Sequence, residues 1–384
     1  MAFTLLADIV GVGVLSLPFA VAQLGWLLGA AVMLVLGLVN VYVSSLLCRI
    51  VLEHEGIRTF ADVGRVVGKK TYKVTRAVWM CVFAAFVITI HLVCTVALKE
   101  VFAGTGIDLC TVTCGVIVCF VSYPFMQFRT LFDLACIGVI GWVCIVAPLA
   151  IVLVDLAISD HRGASTTAKP NPNVFVDAAN VFAFVFAFSQ QHLLVDAMSE
   201  MEKPADMQKV IYLTNGVMVA VYGVVGAAGY YYVGSEVVAP ITSQLPEGRT
   251  LTIVNGLLFV HVSVALCITA CLLNKQVVAV AAPYCPALGD RLLWAVVSAI
   301  TLCSAFLLSQ LVTFFSDLVN IVGASLIVAL IIILPCFIAL HALALSRLER
   351  RLVWALLALS IAASVFGTIA AVVGTAGDMS AGAV

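Results

Sequence analysis

Apolar residues run along this chain in stretches longer than the helices of a water-soluble fold need. A helix that crosses a hydrocarbon core takes about 20 apolar residues. Runs of that kind lie near 2–25, 27–50, 77–103, 109–127, 132–157, 175–200, 208–233, 250–274, 292–312, 317–341 and 352–375. The pattern predicts an all-α membrane protein with eleven transmembrane helices. The first run is not read as a cleavable signal peptide, because it lacks a basic leading segment and a clear cleavage site, and a second run follows at once.

Two of the runs are interrupted at depth. In the first, Gly11, Val12, Gly13 and Val14 precede Pro18, so helix-breaking residues fall where a regular helix would cross the bilayer middle. Free backbone groups are tolerated there only where protein or an aqueous cavity satisfies them. The glycines equally permit close helix packing, so this segment alone leaves two readings open. In the sixth run, the apolar start Val174 to Phe188 leads into Ser189, Gln190, Gln191 and His192, ahead of Asp196 and Glu200. Consecutive polar residues in a membrane helix are expensive. Runs one and six hold corresponding places when the first ten are divided five and five, and paired interruptions there point to a solute site between inverted repeats. Half-helix N-termini would face a carboxylate, and freed carbonyls an ammonium or a cation. The division gives repeat one at 1–157, an outer loop at 158–174, repeat two at 175–341 and an additional helix at 352–375, all within one transmembrane domain over 1–384.

Charge supplies an orientation. With the N-terminus cytoplasmic, all but Lys99, Arg162, Lys169 and Arg249 of the 19 Lys and Arg residues fall on the inner side. A missed or spurious span in the middle would move every later loop to the other side and erase that asymmetry. The basic inner segment 53–74 carries Phe60, Val63, Val66 and Val67 at helical spacing, which suits a short interfacial helix. An inert connector fits the same residues and is the expectation.

Composition agrees with the pattern. The chain is 64% hydrophobic and 10% charged, against about 25% charged in a soluble domain, and its mean hydropathy is +1.19. No compact fold of this length has the interior to hide so many apolar side chains, so the lipid bilayer must cover many of them. The net charge is -1 and no Lys/Arg block forms a stripe, so nucleic acid is not expected as a partner. Most of the 13 cysteines sit inside apolar runs and read as small packing residues. Cys110 with Cys114 and Cys267 with Cys271 lack the additional His or Cys partners of a zinc site, so neither metal nor cofactor is expected. A membrane-embedded enzyme would need a nucleophile with a base, or paired acids at one depth. Gly11 to Val14 lacks the Asp of a GxGD motif, no GxSG elbow has a partner histidine, and the glycine run does not end in Lys-Ser/Thr like a phosphate loop.

Gly11-Val-Gly-Val-Leu-Ser-Leu-Pro-Phe-Ala20, followed by Ala22-Gln-Leu-Gly-Trp26, closely resembles the first-span signature of the amino acid/auxin permease family. FVFAFSQQHLLVDAMSEMEKP, from Phe184 to Pro204, is similar to its sixth-span motif. Gly229 to Val233 and DLVNIVGASLIVALIIILPCFIAL, from Asp317 to Leu340, resemble the family at the right places, so the likeness covers nearly the whole chain. The resemblance implies an eleven-helix carrier with a LeuT-like 5+5 inverted repeat plus one extra helix. It would move amino acids with protons or sodium. Plant-type members often carry Gly-His-Asn where this chain has Gln190, Gln191 and His192. Sodium-coupled relatives commonly place a polar residue where Ala7 stands, which favours the proton as coupling ion. The resemblance leaves open a non-transporting amino-acid sensor or a sodium-coupled carrier. It weights the plasma membrane ahead of a vacuole or other endomembrane.

The residues expected to hold the solute are Val10, Gly11, Val12 and Gly13 of span one, with Phe188, Ser189 and Gln190 of span six. The carboxylate would meet the backbone near Gly11 to Gly13 and the ammonium the carbonyls near Phe188 to Gln190. Ionisable groups inside a membrane default to functional candidates, and three are weighed as proton carriers: Asp8, Asp196 and His261. Asp196 and His261 fall where plant-type members of the resembling family place an acid and a histidine. Asp8 has no such support and equally suits a solvated place near the inner interface, while His261 equally suits a neutral hydrogen-bonded packing role.

Overall fold

A computed structural model of the chain describes residues 11–129, 131–158, 166, 174–246, 248–311 and 315–382. Val10 and Asp8 lie outside the described residues, as does most of the outer loop 158–174. Every regular element among the described residues is helical. Nine helical stretches among them are long and apolar enough to cross a membrane, and a shorter apolar helix covers Thr111–Phe125.

The first of the nine is two helices in one. A 3-10 turn over Val12–Ser16 leads into α1, Leu17–Glu53, with Pro18 in its first turn, where a missing N–H costs nothing. At Gly25 the backbone turns to φ 75 and ψ 173, a region open essentially only to glycine. The chain reverses there. A Cβ at Gly29 would lie 3.7 Å from the Cα of Val21, whereas residues eight apart in a straight helix are separated by about 12 Å. Expected runs one and two are thus folded against each other inside one continuous element.

After α1 comes the short α2, Phe60–Val63, in the basic inner segment. Its capping box is complete: the Thr59 N–H donates to Asp62 Oδ2 at 3.0 Å, and the Thr59 side chain answers the backbone of Asp62. Phe60 and Val63 are wholly buried, and the helix packs on α3, Lys69–Ala103, and on a half-helix of span six. Burial of this kind departs from the inert connector expected of segment 53–74: Phe60–Val63 is a short helix docked on the bundle.

The remaining elements are α4 Thr111–Phe125, α5 Leu131–Ile158, α6 Val174–Ala187, α7 Gln191–Ser199, α8 Met207–Val233, α9 Arg249–Ala281, α10 Asp290–Ser309, α11 Phe315–Val322, α12 Leu334–Ala342 and α13 Arg347–Gly382. Two π-helical segments, Gly323–Ile327 and Ala329–Ile333, join α11 to α12. Helix α9 packs along α3 and α5, and α10 also lies on α3, while α1 packs along α8 and α6. Large apolar side chains point outward, as at Leu27, Leu38, Phe120, Ile300 and Leu359. Such a surface needs lipid around it.

Candidate functional site

Span six is broken where its polar run begins. α6 ends at Ala187, three residues follow without a regular helix, and α7 starts at Gln191. The free carbonyls at the break are met by nearby donors. Phe186 O accepts from Ser189 Oγ at 2.7 Å, Ala187 O accepts from the Tyr222 hydroxyl at 2.9 Å, and Ser189 O accepts from His192 Nδ1. A carbonyl oxygen has two lone pairs; Phe186 O also accepts from the Ser189 N–H at 3.3 Å and is filled, whereas Ala187 O keeps acceptor capacity toward a solute. Span one is irregular at the same level: Gly11 lies outside the helical region at φ -122 and ψ -134, and Val12–Ser16 is a 3-10 turn, with Ser16 Oγ donating to Gly13 O at 2.9 Å. The two breaks touch. A Cβ on Gly13 would stand 2.7 Å from the Cα of Ala187, closer than real contacts allow, so only glycine lets the backbones approach this far.

Beside that contact lies a cavity of about 60 Å³, lined by Gly11, Val12 and Gly13, by Phe186, Ala187, Ser189 and His192, and by Phe86, Ile90, Ala265 and Thr269. Spans one, three, six and eight supply its walls. Phe86 meets Phe186 edge-on with ring centroids 5.5 Å apart, and it also lies 5.0 Å from the His192 ring. Phe83, beside Phe86, also meets His192 edge-on at 5.6 Å and stacks on Trp79. The wall therefore combines three aromatic rings, two hydroxyls and the irregular backbone of both broken helices.

Of the residues expected from sequence, Gly11, Val12, Gly13 and Ser189 come together here. Phe188 and Gln190 sit at the break but are not among the cavity-lining residues. Phe188 packs edge-on against Tyr222 at 5.3 Å, and Gln190 bonds to Ser44 and Thr214. Asp196 lies on the half-helix α7, half-buried, with its carboxyl beside the backbone of Phe60 in α2. Its Oδ2 is buried without a hydrogen-bond partner. His192, one turn earlier, stands between Asp196 and the cavity. His261 does not line the cavity: its Nδ1 donates to Gly141 O of α5 at 2.8 Å, deep among the scaffold helices. Sequence reasoning missed Phe86, Ile90, Ala265 and Thr269, and within span six it missed Phe186, Ala187 and His192. Phe86 and Ile90 are apolar residues in an apolar helix, and of the seven Thr269 and His192 carried a polar signal.

A family model described as transmembrane amino acid transporter protein matches residues 1–380. The N amino acid transport system protein of Neurospora crassa is 26% identical over 249 residues, covering 62% of this chain, and the match spans about half of that relative, 52%. The amino acid transporter AVT3C of Arabidopsis thaliana is 24% identical over 97% of this chain and 88% of its own length. Among solved structures, Mhp1, a nucleobase-cation-symport-1 family transporter in a closed conformation with bromovinylhydantoin bound, aligns at a TM-score of 0.59 with 14% identity. That alignment covers 97% of this chain and 90% of the other, which establishes a shared fold.

Proposed function

The chain belongs to the transmembrane amino acid transporter family, and from that premise we propose that it carries amino acids across a membrane by alternating access, driven by protons. The observation that carries the reading is the meeting of two broken spans at one cavity. Backbone N–H groups at the start of span one suit a carboxylate. The carbonyl of Ala187, with the faces of Phe86 and Phe186, suits an ammonium. Among the described residues, no side chain of fixed charge lines the cavity, which favours neutral amino acids. A cavity of about 60 Å³ holds on the order of a few waters, so a solute with a sizeable side chain enters only when the walls part.

The chain crosses the membrane eleven times in this reading. The 42 residues from Val12 to Glu53 would reach about 60 Å if straight, twice the hydrocarbon thickness, and the reversal at Gly25 divides them into two crossings. Thr111–Phe125 makes a further one with its flanking residues. Five-plus-five pairing gains support from the packing, since spans two and seven lie together, as do spans three and eight. Those are corresponding members of the two repeats.

Asp196 is the carboxyl assigned to proton coupling, on its position under His192 and its partnerless Oδ2. The test of transport is counterflow of labelled neutral amino acid in proteoliposomes containing the purified protein. Exchange that depends on unlabelled amino acid inside supports a carrier. Binding without any exchange would instead support the sensor reading.

A further inference from the structure

Gln190 and Gln191 begin the inner half of span six, and both turn their amides away from the cavity. Gln191 Nε2 donates to the side-chain carbonyl of Asn40, Asn40 Nδ2 donates to Asn215 Oδ1 at 2.8 Å, and Asn215 Nδ2 donates to Gly37 O at 3.2 Å. A second line runs beside it: Thr214 Oγ1 donates to Gln190 Oε1 at 3.2 Å, and Gln190 Nε2 donates to Ser44 Oγ at 3.3 Å. All six side chains are buried. Gly37, Asn40 and Ser44 belong to the second half of α1, and Thr214 and Asn215 to α8. Among the described residues, the side chains of Gln190 and Gln191 bond to Ser44, Asn40 and Thr214, which belong to spans two and seven.

Hydrogen bonds between membrane helices contribute little to net stability, because a polar group finds other partners when the bundle loosens. They do fix direction and register. We propose that Gln191, Asn40 and Asn215 form a positioning latch that makes α7 move as one body with spans two and seven, while spans three and eight stay behind. The break at Phe188 to Gln190 separates α7 from α6. Without the latch, α7 would be free to pivot there, and the His192 wall of the cavity would no longer follow spans two and seven. The proposal rests on the transport reading for its consequence, though not for its geometry.

The experiment compares the wild type with Gln191→Leu, Asn40→Leu and the double variant, all as full chains in proteoliposomes. Asn40→Leu leaves two buried amides without their partner and Gln191→Leu leaves one, whereas the double replaces that pair by apolar groups and leaves only the Asn215 Oδ1 acceptor without its donor. Thermal melting in detergent should therefore recover in the double relative to Asn40→Leu. The latch predicts that maximal counterflow stays reduced by about tenfold in the double while equilibrium binding of labelled amino acid remains within about threefold. Counterflow that recovers together with melting temperature would mean a packing role only, and would overturn the proposal. Genetically encoded spin labels at the exposed Leu52 and Ser199 give a readout independent of transport. One narrow distance population should appear in the wild type with and without amino acid, and a broad one in the double variant. A population equally narrow in the double overturns the latch. A wild type that shows the narrow population but neither exchanges nor accumulates amino acid overturns the transport reading alone.

Discussion

Gly13 and Ala187 set the tolerance of the site. Their backbones are so close that a methyl group on Gly13 would lie 2.7 Å from the Ala187 Cα, and neither side of that contact can yield without shifting a broken helix. Gly13→Ala should lower uptake roughly tenfold or more, with membrane insertion intact as judged by surface biotinylation. Normal uptake would remove the breaks from the site. Tyr222→Phe deletes the donor that holds Ala187 O and should cost about 1 kcal/mol, read as a lower melting temperature. Asp196→Asn should abolish proton-driven accumulation while leaving counterflow, because exchange needs no net proton movement. Loss of both would make Asp196 a structural residue. The glycines and Ser189 were legible in the sequence because helix breakers and hydroxyls are out of place in an apolar span. Phe86 and Ile90 were not, since an apolar residue facing a cavity looks the same as one facing lipid or a neighbour. Phe188 and Gln190 were singled out for bordering the break, but sequence gives no rotation about the helix axis, and both turn toward α8.

Two helical elements show what periodicity captures and what it omits. Runs one and two are visible as apolar stretches, and Gly25 between them marks the reversal, yet no hydropathy pattern gives the φ of 75 that closes it. Gly25→Ala should cost about 1–3 kcal/mol, measured as a fall in the melting temperature of the purified protein. An unchanged melting temperature would mean that the reversal relaxes into ordinary backbone. Segment 53–74 carried helical spacing over only a few residues, so sequence favoured an inert connector over a short interfacial helix and did not foresee a docked one. The buried Phe60 and the capping box around Thr59 and Asp62 resolve the matter. The π-helical segments of span ten had no signature, because an extra residue per turn arises from packing against neighbours.

Across the molecule, the class of fold was the most legible feature. Apolar runs of bilayer length allow little but a helical bundle, and broken spans one and six followed from residues that membranes tolerate poorly. Which helices lie side by side did not follow, because lipid-facing and core-facing residues are both apolar. The charge asymmetry makes a separate claim about orientation. A glycosylation acceptor inserted beside Thr166 should be modified in microsomes, and one beside Glu55 should not. The reverse pattern would invert the assigned topology. The decisive measurement is uptake of labelled neutral amino acids into proteoliposomes under an inward proton gradient, without sodium. Concentrative uptake that collapses with a protonophore is the expected result. A folded protein that binds amino acid yet accumulates none under a proton gradient, and does so only when sodium is added, would contradict proton coupling.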